Sequence, residues 1–131
     1  MALLGALPAV AQVTRAQETE FHRAVTRALA HGDHDEARRL AEARDAADPS
    51  AVAVLARLDI VRGEYAAAEE RLTPVAAANP VSGAGLELAL LYDYLGRRDE
   101  ARPRLQLMLD RLRRSPESLD LYRATLAARA L

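Results

Sequence analysis

The sequence repeats itself on a fixed period. Gly32-Asp33-His34-Asp35-Glu36-Ala37 returns as Gly63-Glu64-Tyr65-Ala66-Ala67-Ala68, and again as Gly96-Arg97-Arg98-Asp99-Glu100-Ala101. The glycines stand 31 and 33 residues apart, and prolines follow them after 17, 17 and 20 residues, at Pro49, Pro80 and Pro116. Half of the 6 glycines and half of the 6 prolines therefore obey one spacing, which chance does not produce. A period of roughly 20–50 residues marks stacked supersecondary units, each too small to bury its own apolar face.

Physical roles follow from the spacing. Each glycine ends a helix, because the residue past a C-terminus often takes the left-handed conformation that glycine adopts without strain. Asp35 and Asp99 are placed to cap the next helix, with acidic first turns that suit its dipole. The proline then stops that second helix, since the residue before a proline is pushed out of the α region. This reading predicts helices over 15–31, 35–47, 50–62, 66–78, 84–95, 99–114 and 117–131. Apolar spacing agrees: Phe21, Ala24, Val25 and Ala28 match Val52, Leu55 and Ala56, then Leu88, Ala89 and Tyr92. In the second helices Ala37, Leu40 and Ala41 match Ala68, Leu72 and Val75, then Ala101, Leu105 and Met108. These are the stripes of helices with one buried face. Pro103 is expected in the first turn of its helix, where a missing N–H costs little, and Pro74 deep inside its own, where it should bend the axis.

The glycine-led turn, the alanine five residues later (Ala37, Ala68, Ala101) and the closing proline resemble the tetratricopeptide repeat family. The resemblance covers residues 18–131. It implies an all-α, right-handed α-solenoid of three helix–turn–helix hairpins over about 18–49, 50–80 and 82–116, with an unpaired or capping helix over 117–131. The chain departs from the family where an early tryptophan is usual: Phe21, Val52 and Gly85 stand there, and the third unit has a longer second helix.

In that family the first helices of successive hairpins line a concave groove. Carried onto this chain, the inward positions are His22, Thr26 and Leu29, then Ala53, Arg57, Ile60 and Val61. The third unit supplies Leu86, Leu90, Asp93 and Tyr94, and the last helix Tyr122, Leu126 and Arg129. The set is mostly apolar, with tyrosines and arginines, the residue types enriched at binding hot spots. It lacks the Lys/Asn combination with which chaperone-binding members grip a C-terminal carboxylate. The expected partner is a protein or peptide that lays an apolar or amphipathic segment in the groove.

Composition removes other classes. Aromatic residues number 5 (4 Tyr and 1 Phe), and alanine supplies much of the apolar half, so stability must come from many small helix contacts. A β-sandwich would need branched and aromatic strands that are missing. A formal net charge of −1 gives no electrostatic footprint for nucleic acid or an anionic membrane. All 18 basic residues are arginine, and no cysteine exists to form a disulfide, a thiol nucleophile or a cysteine metal site.

The two ends carry separate expectations. Residues 1–12, MALLGALPAVAQ, run from an apolar stretch to Ala9-Val10-Ala11, as at the end of a secretory signal peptide cleaved after Ala11. No positive residue precedes the run, so the alternative is an apolar segment capping the first hairpin. The first reading places the protein in the periplasm or outside the cell, the second in the cytoplasm. The stretch is too short to span a bilayer. At the other end, 117–131 repeats the first-helix pattern, with Leu119, Leu126 and Leu131 on its outer face. That face suits self-association, a partner, or continuation of a longer array.

Chemistry has few places to reside. His31, Asp33, His34 and Asp35 lie close together but not at zinc-ligand spacing, and they occupy a turn, where such residues act as caps. Glu18 and His22 are one helical turn apart, the spacing of an exposed i, i+4 pair as much as of an acid–base couple. Arg111, Arg113 and Arg114 end a helix, where cations suit the dipole. No phosphate loop or nucleophile elbow occurs. The expectation is a non-enzymatic interaction scaffold with no catalytic, cofactor or metal residues. Its alternative is an oligomerisation or regulatory repeat module of a longer polypeptide.

Overall fold

The computed structural model describes residues 13–114, apart from the side chain of Leu112. Over that range the chain forms helices α1 (Arg15–Ala30), α2 (His34–Glu42), α3 (Pro49–Val61), α4 (Tyr65–Ala78), α5 (Gly83–Tyr94) and α6 (Arg98–Arg114), and no strand. The protein is all-helical there. Pro116, the helix expected over 117–131 with Tyr122, Leu126 and Arg129, and the segment 1–12 lie outside the described residues.

The three glycine turns are the same turn. Gly32, Gly63 and Gly96 take φ of 70°, 77° and 79°, and among the described residues only glycines have positive φ. In each turn the N–H after the glycine donates five residues back: Asp33 to Ala28, Glu64 to Asp59 and Arg97 to Tyr92, at 2.8, 2.9 and 2.8 Å. The glycine N–H donates to Leu29, Ile60 and Asp93 respectively, at 3.1, 2.9 and 3.1 Å. That pair of bonds is the Schellman motif, which satisfies the orphan carbonyls of a helix end.

Several local expectations are corrected. The cap of α2 is Asp33, whose carboxylate accepts the Glu36 N–H at 3.0 Å; Asp35 lies inside the first turn, as does Asp99 in α6. The second helix of the first pair ends at Glu42 rather than residue 47. Asp45 ends it, accepting the Ala47 N–H on its side chain at 2.8 Å and the Asp48 N–H on its carbonyl at 3.0 Å, a local turn that competes with the helix. Pro49 therefore stops nothing: it is the first residue of α3, behind the Asp48 cap, where its fixed φ fits and its missing N–H is harmless. Pro103 is the sixth residue of α6, not part of its first turn, so the Asp99 carbonyl loses its ladder donor. Pro74 lies within α4, which continues through it to Ala78.

Packing follows chain order. Each helix packs on its neighbour in sequence, and α3 also packs on α5. One core cluster joins Phe21, Val25 and Ala28 of α1 with Ala37, Ala41 and, from α3, Ala51, Val54 and Leu58. The other begins on the opposite side of α3, at Val52 and Ala56, and runs through Leu72, Leu88 and Tyr92 to Leu105 and Met108. The α3 helix is thus a wall shared by two cores. Being flanked by three helices, α3 and α5 are buried nearly all round. The periodic stripes named Val52, Ala56, Leu88, Ala89 and Tyr92 but not Val54, Leu58 or Leu91, which are buried as well.

Gly85 explains the missing large residue of the third unit. A Cβ there would lie 2.1 Å from the Pro80 carbonyl oxygen. No side chain fits. Gly63, by contrast, has open space around it and is fixed only by its φ. Gly63→Ala should cost about 1–2 kcal/mol, the penalty for a side chain in the left-handed region. Gly85→Ala should reach the top of the roughly 1–3 kcal/mol overpacking range or exceed it, because the obstructing atom is backbone. Urea denaturation of both variants checks the order; an equal loss would refute the close approach.

Candidate functional site

The positions expected to line a groove on α1, α3 and α5 differ widely in exposure. Leu86 is 4% exposed and Ala53 5%, so both are core residues and present little to a ligand. Leu29, Ile60 and Leu90 are half-buried and pack against the two clusters. Thr26, Val61 and Tyr94 are exposed, Val61 at 60% and Tyr94 at 69%, while His22, Arg57 and Asp93 are intermediate. Val61 and Tyr94 are the last residues of α3 and α5, so the repeat puts them at matching points.

Around Tyr94 the surface is aromatic and apolar. The first residue of α4, Tyr65, packs its ring against that of Tyr94 with centroids 5.6 Å apart and planes inclined at 49°. Their hydroxyls lie 3.4 Å apart, and the contact with Tyr94 raises the Tyr65 hydroxyl above its ordinary pKa. Offset aromatic pairs of this kind hold each other in place. Leu95, which caps α5, is 38% exposed beside them. Sequence reasoning missed Tyr65, which the turn between α3 and α4 rather than helical spacing brings to Tyr94, and Leu95, which follows Tyr94 in the chain.

Arg57 is already engaged. Its guanidinium makes a paired contact with Glu87 of α5, with Nε donating to Oε1 at 3.1 Å and Nη2 donating to the same oxygen. The Glu87 side chain is 10% exposed and the Arg57 side chain 41%. A buried carboxylate needs such a partner, and the pair ties two neighbouring first helices together. Glu87 was also missed, although a lone acid in the apolar run Leu86-Glu87-Leu88-Ala89-Leu90-Leu91 has to find a cation. Asp93 lies 3.8 Å from the Arg98 guanidinium.

Glu18 and His22 form the expected pair, 2.8 Å apart, but Glu18 does more than that. It also accepts from Arg44 at 2.7 Å and from the Ser50 hydroxyl. Arg44 bonds Asp48 at 3.2 Å and lies over the Phe21 ring, 4.0 Å from its centroid. The carboxylate thereby links α1 to the α2–α3 connector and to α3. Burial works against its charge, but hydrogen bonds from Ser50 and Arg44, with the charges of Arg44 and His22, hold its pKa below the usual value. Polar clusters elsewhere are structural too. His31 Nδ1 meets the Arg27 carbonyl at 2.7 Å, Asp33 caps α2, and buried Asp59 is paired with Arg71 at 3.0 Å. Among the described residues, no three His, Asp or Glu side chains converge as metal ligands. Also among them, no helix is long and apolar enough to cross a membrane.

Glu18 gives a pH dependence of definite sign. A carboxylate whose pKa is lowered in the fold contributes stability that is fully present above the unfolded value, here 4.5. The contribution is lost as pH falls through the lower folded value. Glu18→Gln should therefore cost about 1.5 kcal/mol at pH 7, the low end for bonds to charged groups at a partly exposed position. The gap to the wild type should close on acidification below pH 4.5. Denaturant titrations across pH measure it, and a gap independent of pH would refute the charged role.

Compared with known proteins, the chain matches no family model, and no curated protein or solved structure gives a significant match. The geometry of the chain itself carries its functional reading.

Proposed function

We propose that this chain is a protein-interaction scaffold of the tetratricopeptide kind, a right-handed stack of helical hairpins that takes an apolar or amphipathic segment of a partner. The supporting observation is the exposure of Val61 and Tyr94 at matching ends of α3 and α5, with Tyr65 stacked on Tyr94 and Leu95 alongside. Large apolar side chains left out of a well-filled core, at positions repeated from unit to unit, mark an interaction surface. Three identical glycine turns and the direct packing of α3 on α5 agree with a stacked repeat. Glu87 neutralises Arg57, which leaves the middle of the groove without an unmet charge to attract a peptide carboxylate.

The edge of this surface, not its middle, carries the aromatic anchors. A partner helix with apolar residues at i, i+3, i+4 and i+7 would set one of them between Val61 and Tyr94. Binding of such a synthetic amphipathic helix, read by fluorescence anisotropy, should weaken at least about tenfold, or about 1.4 kcal/mol, in the double variant V61S/Y94A. Its unfolding free energy should fall by no more than the lost Tyr65–Tyr94 ring pair contributes, about 0.5–1.5 kcal/mol. Equal binding by variant and wild type would remove the edge as the docking surface.

A further inference from the structure

A cleft of about 380 Å³ opens where the end of α2 meets α3 and α4, and none of the edge residues Val61, Tyr65 and Tyr94 lines it. Its charged groups are of two kinds. Arg71 of α4 is held from behind: buried Asp59 of α3 accepts its Nε–H at 3.0 Å, which positions the guanidinium. That bond uses one of five N–H donors, and neither Nη makes a hydrogen bond to another described residue. Glu42, the last residue of α2, and Glu70, next to Arg71 on α4, are exposed and have no ion pair with any described residue. Free guanidinium donors and two free carboxylates thus line one concavity of small-molecule size. Arg44 is different, being already engaged by Glu18 and Asp48 at 2.7 and 3.2 Å.

We infer that this cleft binds a free α-amino acid with an aliphatic side chain. The inference is independent of the proposed interaction edge. An α-amino acid carries its ammonium and its carboxylate on one carbon, so it needs an acceptor and a donor side by side. Glu70 and Arg71 are consecutive residues that both line the cleft, and they supply that pair. The two Nη groups of Arg71 donate to the ligand carboxylate in the forked geometry that suits it. The ammonium donates to Glu70 and, across the cleft, to Glu42. The aliphatic side chain then lies against half-buried Leu55 and Val75 and exposed Pro74. Other ligand classes match the lining less well. A simple cation leaves the Arg71 donors unmet, and a simple anion meets two carboxylates. A metal ion lacks ligands, since among the described residues no three His, Asp or Glu side chains converge.

L-leucine is the probe. Titrated into the full chain, it should shift the amide NMR signals of Leu55, Glu70 and Val75 and leave that of Thr26, exposed on α1, in place. Leucine methyl ester lacks the carboxylate and N-acetyl-leucine the ammonium. Each should bind at least about tenfold more weakly than leucine, the loss expected for one charged hydrogen-bonded group. Glu70→Gln, at an exposed position, should weaken leucine by a similar factor without weakening N-acetyl-leucine. Arg71→Lys keeps a cation for Asp59 but loses the fork, so it should weaken leucine and spare the methyl ester. Signals that stay in place up to the solubility of leucine would overturn the inference. So would methyl ester binding as tight as that of leucine, or a Glu70→Gln variant that weakens leucine and N-acetyl-leucine alike.

Discussion

The fold depends on a single backbone conformation used three times. A helix of thirteen or so residues with an alanine-rich face cannot bury enough surface alone, so it has to be turned back onto a neighbour within a few residues. Gly32, Gly63 and Gly96 make that reversal with φ near +75°, and the two carbonyls left open by each ending helix are filled within the turn. Because the turn is the same each time, the helix pairs present the same positions inward. Ala37, Ala68 and Ala101 then become points of close helix approach, at 0%, 0% and 1% exposure. A larger side chain at those points would push the helices of a pair apart.

Apolar contacts fill each core, while the polar links join different elements. Glu18 reaches from α1 to Ser50 of α3, and Arg57 reaches from α3 to Glu87 of α5. Glu69 of α4 takes Arg97 at 2.8 Å and the Tyr92 hydroxyl at 3.3 Å, and the Arg97 guanidinium holds its pKa down. Such pairs contribute little where they are exposed, but removing one partner of a buried one leaves a desolvated charge behind. Ser50, Asp59 and Glu87 are the buried polar residues among those described, and each bonds a side chain of another element. Their effect is on register: α3 cannot slide along α5 without parting Arg57 from Glu87.

The sequence made the periodic part of this legible and left the rest obscure for identifiable reasons. Phe21, Val25, Ala28, Leu72, Leu88 and Leu105 could be assigned to the core because one-sided burial leaves a helical stripe. Leu58 and Leu91 could not, since helices buried on every side have no stripe to read. Local polar competition also escaped notice: Asp45 ends α2 with bonds as short in range as those of a cap, so a helix predicted to residue 47 stops at Glu42. Pro49 then changed role from terminator to initiator, because a proline after Asp48 suits the start of a helix better than the end of one. The positions that the family resemblance implied for a groove carried no information on how deep they lie. Leu86 and Ala53 sank into the core once α3 and α5 met directly, and Tyr65 arrived at Tyr94 through a turn.

The two ends of α3 and α5 differ in physical terms. Near Ser50 and Glu87 the first helices are cross-linked by charge and fully packed, so little can be accommodated there without breaking an ion pair. Toward their C-terminal ends α3 and α5 leave Val61 and Tyr94 in solvent. There the Tyr94 ring is held against Tyr65 of α4, and the chain turns back directly after it at Gly96.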